Sequence, residues 1–298
     1  MLFDKFTVGG PRPRPFTRQS DERLALAAKW ARALALRGDE VVLLSGSAGL
    51  GIADDHSDID LYVFNGGASE AIFDNSALRG FGLCKVFAAA TRRGGTLERY
   101  ALGGILVDIE QLPREALLQT IDAVLLEFDV DPAKQKVLRG LLDAIALNGE
   151  AEWQCWCARL AAYPRQLAIN MIRAHLRFDP LVRVKRRTLL RGDPMAFSGS
   201  LTVFLAQIVG VLAGLNHYYL GAAPGLLKWT DLHLSRMQAV PSTAVDFIHA
   251  VLRDPSDHHL TALEHLARDL FAAVDSAFPE VSTHTARDYL GASDLTGR

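Results

Sequence analysis

Two aspartates with one residue between them, Asp58-Ile59-Asp60, follow a glycine–serine pair, Gly46-Ser47, with twelve residues from the glycine to the first aspartate. Side chains at positions i and i+2 of an extended strand leave from the same face. The two carboxylates would stand side by side and repel, and one would be driven towards protonation. Divalent cations relieve that repulsion. Mg2+ prefers one or two carboxylates with water and phosphate oxygens over an all-protein cage. Two ions about 3.5–4 Å apart can hold both the attacking and the leaving oxygen of an in-line displacement. The glycine–serine pair suits a phosphate. Gly46 lacks a Cβ and admits close backbone approach, and Ser47 adds a hydroxyl and an N–H. Together these residues point to phosphoryl or nucleotidyl transfer.

Such a site needs a third carboxylate on a neighbouring strand. The run Ile105-Leu106-Val107-Asp108-Ile109-Glu110-Gln111-Leu112 offers two on one face, Asp108 and Glu110. Only one need be catalytic. Asp108 is favoured because it lies deeper in the apolar run, as metal ligand and as general base towards an incoming hydroxyl. The glycines themselves exclude two commoner readings. Gly46, Gly49 and Gly51 are spaced G-x-x-G-x-G, not G-x-G-x-x-G as in the dinucleotide fingerprint. Ile52-Ala53 stands where a P-loop needs Lys followed by Ser or Thr.

Gly46-Ser47, then Ser57-Asp58-Ile59-Asp60-Leu61, then an acidic residue on a later strand, resembles the nucleotidyltransferase superfamily that includes polymerase β. The form of the motif is similar to that of bacterial nucleotidyltransferases acting on aminoglycoside and lincosamide antibiotics, and of their uncharacterised relatives. The resemblance implies that Asp58 and Asp60 bind two Mg2+ ions and that Gly46 and Ser47 hold a triphosphate; Asp108, favoured over Glu110, would complete the metal ligands. Pyrophosphate would leave as a nucleoside monophosphate is transferred, with AMP from ATP the expected case. The implied acceptor is a hydroxyl of a small molecule, an antibiotic in the specific case. Further along, three segments resemble the helical domain of the same enzymes: Arg191-Gly192-Asp193, an apolar helix ending Leu215-Asn216-His217-Tyr218-Tyr219, and Leu227-Lys228-Trp229. That likeness implies that Lys228 is a charge partner of the triphosphate and that Asn216 or Tyr219 also faces the nucleotide.

These residues need strands and helices to hold them. Residues 1–20, with prolines at 11, 13 and 15, read as an extended arm. Asp21 is expected to cap a helix running to about Leu36. Val41–Ser45, Asp58–Phe64, Leu83–Ala90, Leu97–Ala101 and Ile105–Leu112 read as strands, with Gly66-Gly67 and Gly103-Gly104 as turns. After Pro113 the period becomes helical, with segments expected at 114–127, 132–147, 150–161, 165–177, 181–191, 195–220, 242–253 and 258–277. The expected fold class is α+β: an arm to residue 20, a small mixed-sheet nucleotidyltransferase domain over 21–128, and an all-helical bundle over 129–298.

The bulk numbers agree with this division. The chain has 298 residues, 49% of them hydrophobic, enough for about two domains. A net charge of −2 supplies no global basic field for nucleic acid. The densest basic run, Arg183, Lys185, Arg186, Arg187 and Arg191, lacks the interleaved aromatic residues of an RNA platform and reads as a solvated face. Arg92-Arg93 reads as a basic turn, Asp54-Asp55-His56 as a solvated loop, His258, His259 and His265 as surface, and Trp153 and Trp156 as packing. Three cysteines without a signal pattern fit reduced thiols and a cytoplasmic location. The longest apolar stretch, Leu201 to Leu215, contains Gln207 and falls short of a bilayer span. Two alternatives remain beside a small-molecule acceptor. One is the same chemistry on a protein or tRNA, as in toxin–antitoxin nucleotidyltransferases. The other is a non-catalytic nucleotide-binding module, against which the intact acidic residues speak.

Overall fold

A computed structural model describes residues 16–34, 39–65, 75–91, 94–220 and 227–291. The expected arm lies outside these residues as far as residue 15, as do Gly66-Gly67 and Arg92-Arg93. The described chain divides into two compact units. The first runs to Glu127 and takes in Val137–Ala162; the second comprises Phe128–Lys136 and the chain from Tyr163 onwards.

The first unit is built on six strands: β1 (Val41–Ser45), β2 (Ile59–Asn65), β3 (Cys84–Ala90), β4 (Thr96–Leu102), β5 (Ile105–Pro113) and β6 (Ile145–Asn148). Their order is β3-β4-β5-β2-β1-β6. The β2–β5 pair is parallel and every other pair antiparallel. Strand β2 alternates. Ile59, Leu61 and Val63 are buried in one core with Ala27, Trp30 and Ala31 of helix α1 (Arg18–Leu34), while Asp60 and Tyr62 on the other face are half-buried. The five-residue α2 (Gly46–Leu50) follows β1, and α3 (Asn75–Gly80) precedes β3. Helix α4 (Arg114–Leu126) follows β5 directly; α5 (Pro132–Asp143) enters this unit at Val137, and α6 (Glu150–Ala161) follows β6.

Three expectations change here. Helix α1 begins at Arg18 and not behind an Asp21 cap, because the Thr17 hydroxyl accepts the Ser20 N–H at 3.2 Å. The helix expected over 132–147 ends at Asp143, and Ile145–Asn148 instead pairs with β1 as an edge strand. Residues 137–162 consequently fold with the sheet, whereas the division at 128/129 places them with the helices. Trp153 and Trp156 are buried in this unit, and the Trp153 indole N–H donates to the Leu141 carbonyl at 2.9 Å.

The second unit is all-helical: α7 (Arg165–His175), α8 (Leu181–Arg187), a 3-10 turn (Leu189–Arg191), α9 (Pro194–Leu215), α10 (Leu227–Ser235), α11 (Ala244–Arg253), α12 (Asp257–Ala277) and α13 (His284–Gly291). Its core is centred on Phe178, which packs against Phe204 of α9 at 5.1 Å and Phe271 of α12 at 5.7 Å between ring centroids. Gly210 and Gly214 let α7 and α9 approach closely; a Cβ on Gly210 would lie 2.2 Å from the His175 ring. Glu264 of α12 accepts the Val182 N–H in the first turn of α8. Helix α9 has 22 residues and by length and composition could cross a membrane, so the shorter sequence stretch understated it. Phe197, Leu201, Phe204, Leu205, Ile208 and Leu212 on α9 belong to the core of this unit, which accounts for its apolar composition. The chain is thus α+β, with a mixed sheet in one unit and helices alone in the other.

Inside α5, Arg139 and Asp143 form an ion pair with both side chains only 6% exposed. Removing one charge from a buried pair costs about 3–5 kcal/mol, while replacing both by apolar groups is often neutral. Arg139→Met should therefore lower the urea midpoint strongly, and Arg139→Met with Asp143→Leu should recover most of the loss.

Candidate active site

The register of the sheet aligns four polar residues. Ser45 on β1 is opposite Asp60 on β2, Asp60 is opposite Asp108 on β5, and Asp108 is opposite Arg99 on β4. Cross-strand partners share a face, so these side chains form one row across the sheet. Asp58, two residues before Asp60, joins the same face at the entrance to β2. One carboxylate oxygen from each of Asp58, Asp60 and Asp108 lies within 4.8 Å of the others, and all three residues are half-buried. Among the described residues, no other group of three or more His, Cys, Asp or Glu has ligand atoms this close.

Backbone geometry brings the glycine–serine corner against this cluster. Strand β1 ends at Ser45 and the chain turns at Gly46, whose φ is +63°. A Cβ there would lie 1.9 Å from Asp60 Oδ2, so the turn and the aspartate fit together only because residue 46 is glycine. Gly49 permits a second close approach: a Cβ would lie 2.6 Å from the Leu44 carbonyl oxygen, where α2 folds back on β1. Ser47 is 6% exposed, so its hydroxyl is less open than the sequence reading assumed.

The loop leading to Asp58 is tied to α1. Thr17 donates its hydroxyl to the Ala53 carbonyl at 2.7 Å, and Ser20 accepts the Ala53 N–H at 2.9 Å. Arg23, 3% exposed, donates Nε to the Ser57 carbonyl at 2.8 Å, one residue before Asp58. Asp54 closes the turn by accepting the His56 N–H and the Ser57 hydroxyl, while Asp54, Asp55 and His56 stay exposed as expected.

Arg99 is the cation of the cluster. Its Nε and Nη2 donate to the two Asp108 oxygens at 2.6 Å each, a bidentate fork. The hydrogen bond to Asp108 first, then the charges of Asp108, Asp58 and Asp60, push the Arg99 pKa further above the ordinary arginine range. Neither Arg99 nor Arg23 was singled out in the sequence. Arg99 could have been found: counting back from the Gly103-Gly104 turn, with Leu102 opposite Ile105, puts residue 99 opposite 108. Nothing comparable marks Arg23, whose contact with Ser57 depends on how α1 packs.

The remaining sequence candidates lie elsewhere. Glu110 is on the face of Asp108 but two residues along, opposite Tyr62 and Leu97, and is not in the close group. Asn216 caps α9 and exchanges hydrogen bonds with Ala239, and Tyr219 is 2% exposed and packed on Tyr163. Lys228 is the second residue of α10; its side chain lies outside the described residues. Arg183, Arg186, Arg187 and Arg191 are exposed, while Lys185 pairs with Asp257 at 2.9 Å.

An all-carboxylate donor set is one that hard divalent cations take, and these three acids could hold a metal ion. No protein-family model and no curated protein matches the sequence. Among solved structures, the chain is similar to a nucleotidyltransferase-like protein from Exiguobacterium sibiricum 255-15, at 13% identity over 92% of this chain and 89% of that one, with a TM-score of 0.36. It is also similar to a CCA-adding enzyme in complex with CTP (16% identity, 91% and 80% covered, TM-score 0.26) and with ATP (13% identity, 92% and 81% covered, TM-score 0.27). These overlaps are loose, and the chemistry rests on the side chains themselves.

Loss of a buried, charge-assisted hydrogen bond costs about 1.5–3 kcal/mol. Arg23→Met should lower the unfolding free energy by that amount. It should also speed protease cleavage within residues 51–57, checked by urea titration and limited proteolysis.

Proposed function

We propose that the chain is a Mg2+-dependent nucleotidyltransferase. The observation that carries the reading is the approach of Asp58, Asp60 and Asp108 to one another with the Gly46 turn closed directly on Asp60. In this reading Asp58, Asp60 and Asp108 would hold two Mg2+ ions, which would supply positive charge to a bound triphosphate and to the charge that develops on transfer. The turn at Gly46-Ser47 positions the phosphates. An acceptor hydroxyl gives up its proton, with Asp108 the assigned base, and its oxygen bonds to the α-phosphorus as the bond from that phosphorus to the α,β-bridging oxygen breaks and pyrophosphate leaves. What the protein supplies is alignment and charge, as is general for such transfers.

The finer assignments rest on the motif. Its Ser57-Asp58-Ile59-Asp60-Leu61 form supports AMP transfer from ATP to a hydroxyl of a small molecule of the antibiotic kind. Lys228 is assigned to the triphosphate on the likeness of Leu227-Lys228-Trp229 and its neighbouring segments to the helical domain of such enzymes. The catalytic domain is taken as the sheet unit.

Pyrophosphate release from each nucleoside triphosphate, with Mg2+ and a panel of antibiotics, tRNA and proteins, tests the reading. Asp58→Asn should abolish release while the melting temperature holds; full activity at an unchanged melting temperature would remove the assignment. Asp108→Asn should cost at least a hundredfold and Glu110→Gln less than fivefold, and equal mild losses would put the third carboxylate elsewhere.

A further inference from the structure

Arg99 has no counterpart in the chemistry proposed above, yet it takes up both oxygens of Asp108. Its side chain is 40% exposed, against 15% for Asp108. The guanidinium is therefore anchored by the fork and not by packing, and a long side chain can swing clear of it. Among the described residues the three carboxylates outnumber the guanidinium paired to Asp108, and a divalent cation would offset that excess of negative charge. Any cation drawn to the row meets a positive group already bound to one of its ligands.

We propose that Arg99 is the built-in counter-ion of this cluster. It holds Asp108 in line across the sheet when no metal is present and competes with a divalent cation for the same carboxylate. Strand register gives it this place, since residues 99 and 108 face each other across the β4–β5 hairpin. The cation wins because it is attracted by three carboxylates at once, whereas an exposed fork to one of them is worth little. Arg99 thus sets the cation concentration at which the site loads, and keeps the acids from driving one another apart below it. The inference rests on reading Asp58, Asp60 and Asp108 as cation ligands.

Titrating the full chain with Mn2+ alone, by calorimetry, tests it. Removing a unit positive charge a few ångströms from a divalent ion strengthens binding, so Arg99→Gln should bind Mn2+ on the order of tenfold tighter than the wild type. Arg99→Lys, which keeps the charge and loses the fork, should fall between the two. In chelator Arg99→Gln should melt below the wild type, and saturating Mn2+ should close the gap, a dependence that a merely structural residue would not show. Equal or weaker Mn2+ binding by Arg99→Gln overturns the proposal; if that variant does not fold, Arg99→Lys decides by the same criterion. Asp60→Asn separates the two ideas. Wild-type Mn2+ affinity in that variant removes the ligand assignment and the proposal with it, whereas loss of binding there alongside no gain in Arg99→Gln removes the counter-ion alone. If neither the wild type nor the Arg99 variants bind Mn2+, both fall.

Discussion

Like-charge repulsion among Asp58, Asp60 and Asp108 is the condition that the rest of the first unit is arranged to withstand. At 4.8 Å each pair of carboxylates repels by about 1–3.5 kcal/mol, taking an effective dielectric between water and a protein surface. Three such pairs exceed what one half-exposed arginine fork returns, about 1 kcal/mol. The parallel β2–β5 ladder fixes the backbones of Asp60 and Asp108 opposite each other, so only side-chain rotation can relieve this, and the Arg99 fork opposes that rotation at Asp108. The arrangement concentrates negative charge at one spot on the sheet, which is what a cation site requires.

The parts that hold the acids are of different kinds. On one side contact is steric: the turn at Gly46 meets Asp60 so closely that any side chain at residue 46 would displace it. On the other it is polar, with Thr17, Ser20 and Arg23 of the α1 region binding the backbone of residues 53 and 57. The same helix packs Ala27, Trp30 and Ala31 against the buried face of β2, beneath Ile59 and Leu61. Helix α1 thus fixes both ends of the segment that presents the aspartates, the loop by hydrogen bonds and the strand by apolar packing.

Much of this was legible in the sequence, for local reasons. The strands β1, β2 and β5 are short apolar runs bounded by turn residues, and the i, i+2 rule places Asp58 with Asp60 without knowledge of the fold. What was not legible depends on pairing over distance. Ile145–Asn148 continues a helical period and becomes a strand only because the edge of β1 is there to pair with it. Residues 137–162 read as part of the helical half for the same reason, since period alone does not tell which core a helix serves. Ser47 illustrates a further limit: its position beside Gly46 suggests an open hydroxyl, but the packing of α2 on β1 buries it.

The choice between Asp108 and Glu110 shows how register converts a sequence ambiguity into a distance. Both point to the same face of β5, and depth in the apolar run is a weak criterion between them. Strand residues advance about 3.3 Å each, so the two carboxyl-bearing positions are separated by roughly 6.6 Å along the sheet. Asp108 is opposite Asp60 and Glu110 opposite Tyr62. An ion coordinated by oxygens at about 2.0–2.1 Å, the distance Mg2+ demands, reaches across one rung of the sheet and not along two. With Asp58 and Asp60 at the entrance to β2, an ion shared with them would lie at that end of the strand, where Asp108 and its partner Arg99 stand and Glu110 does not.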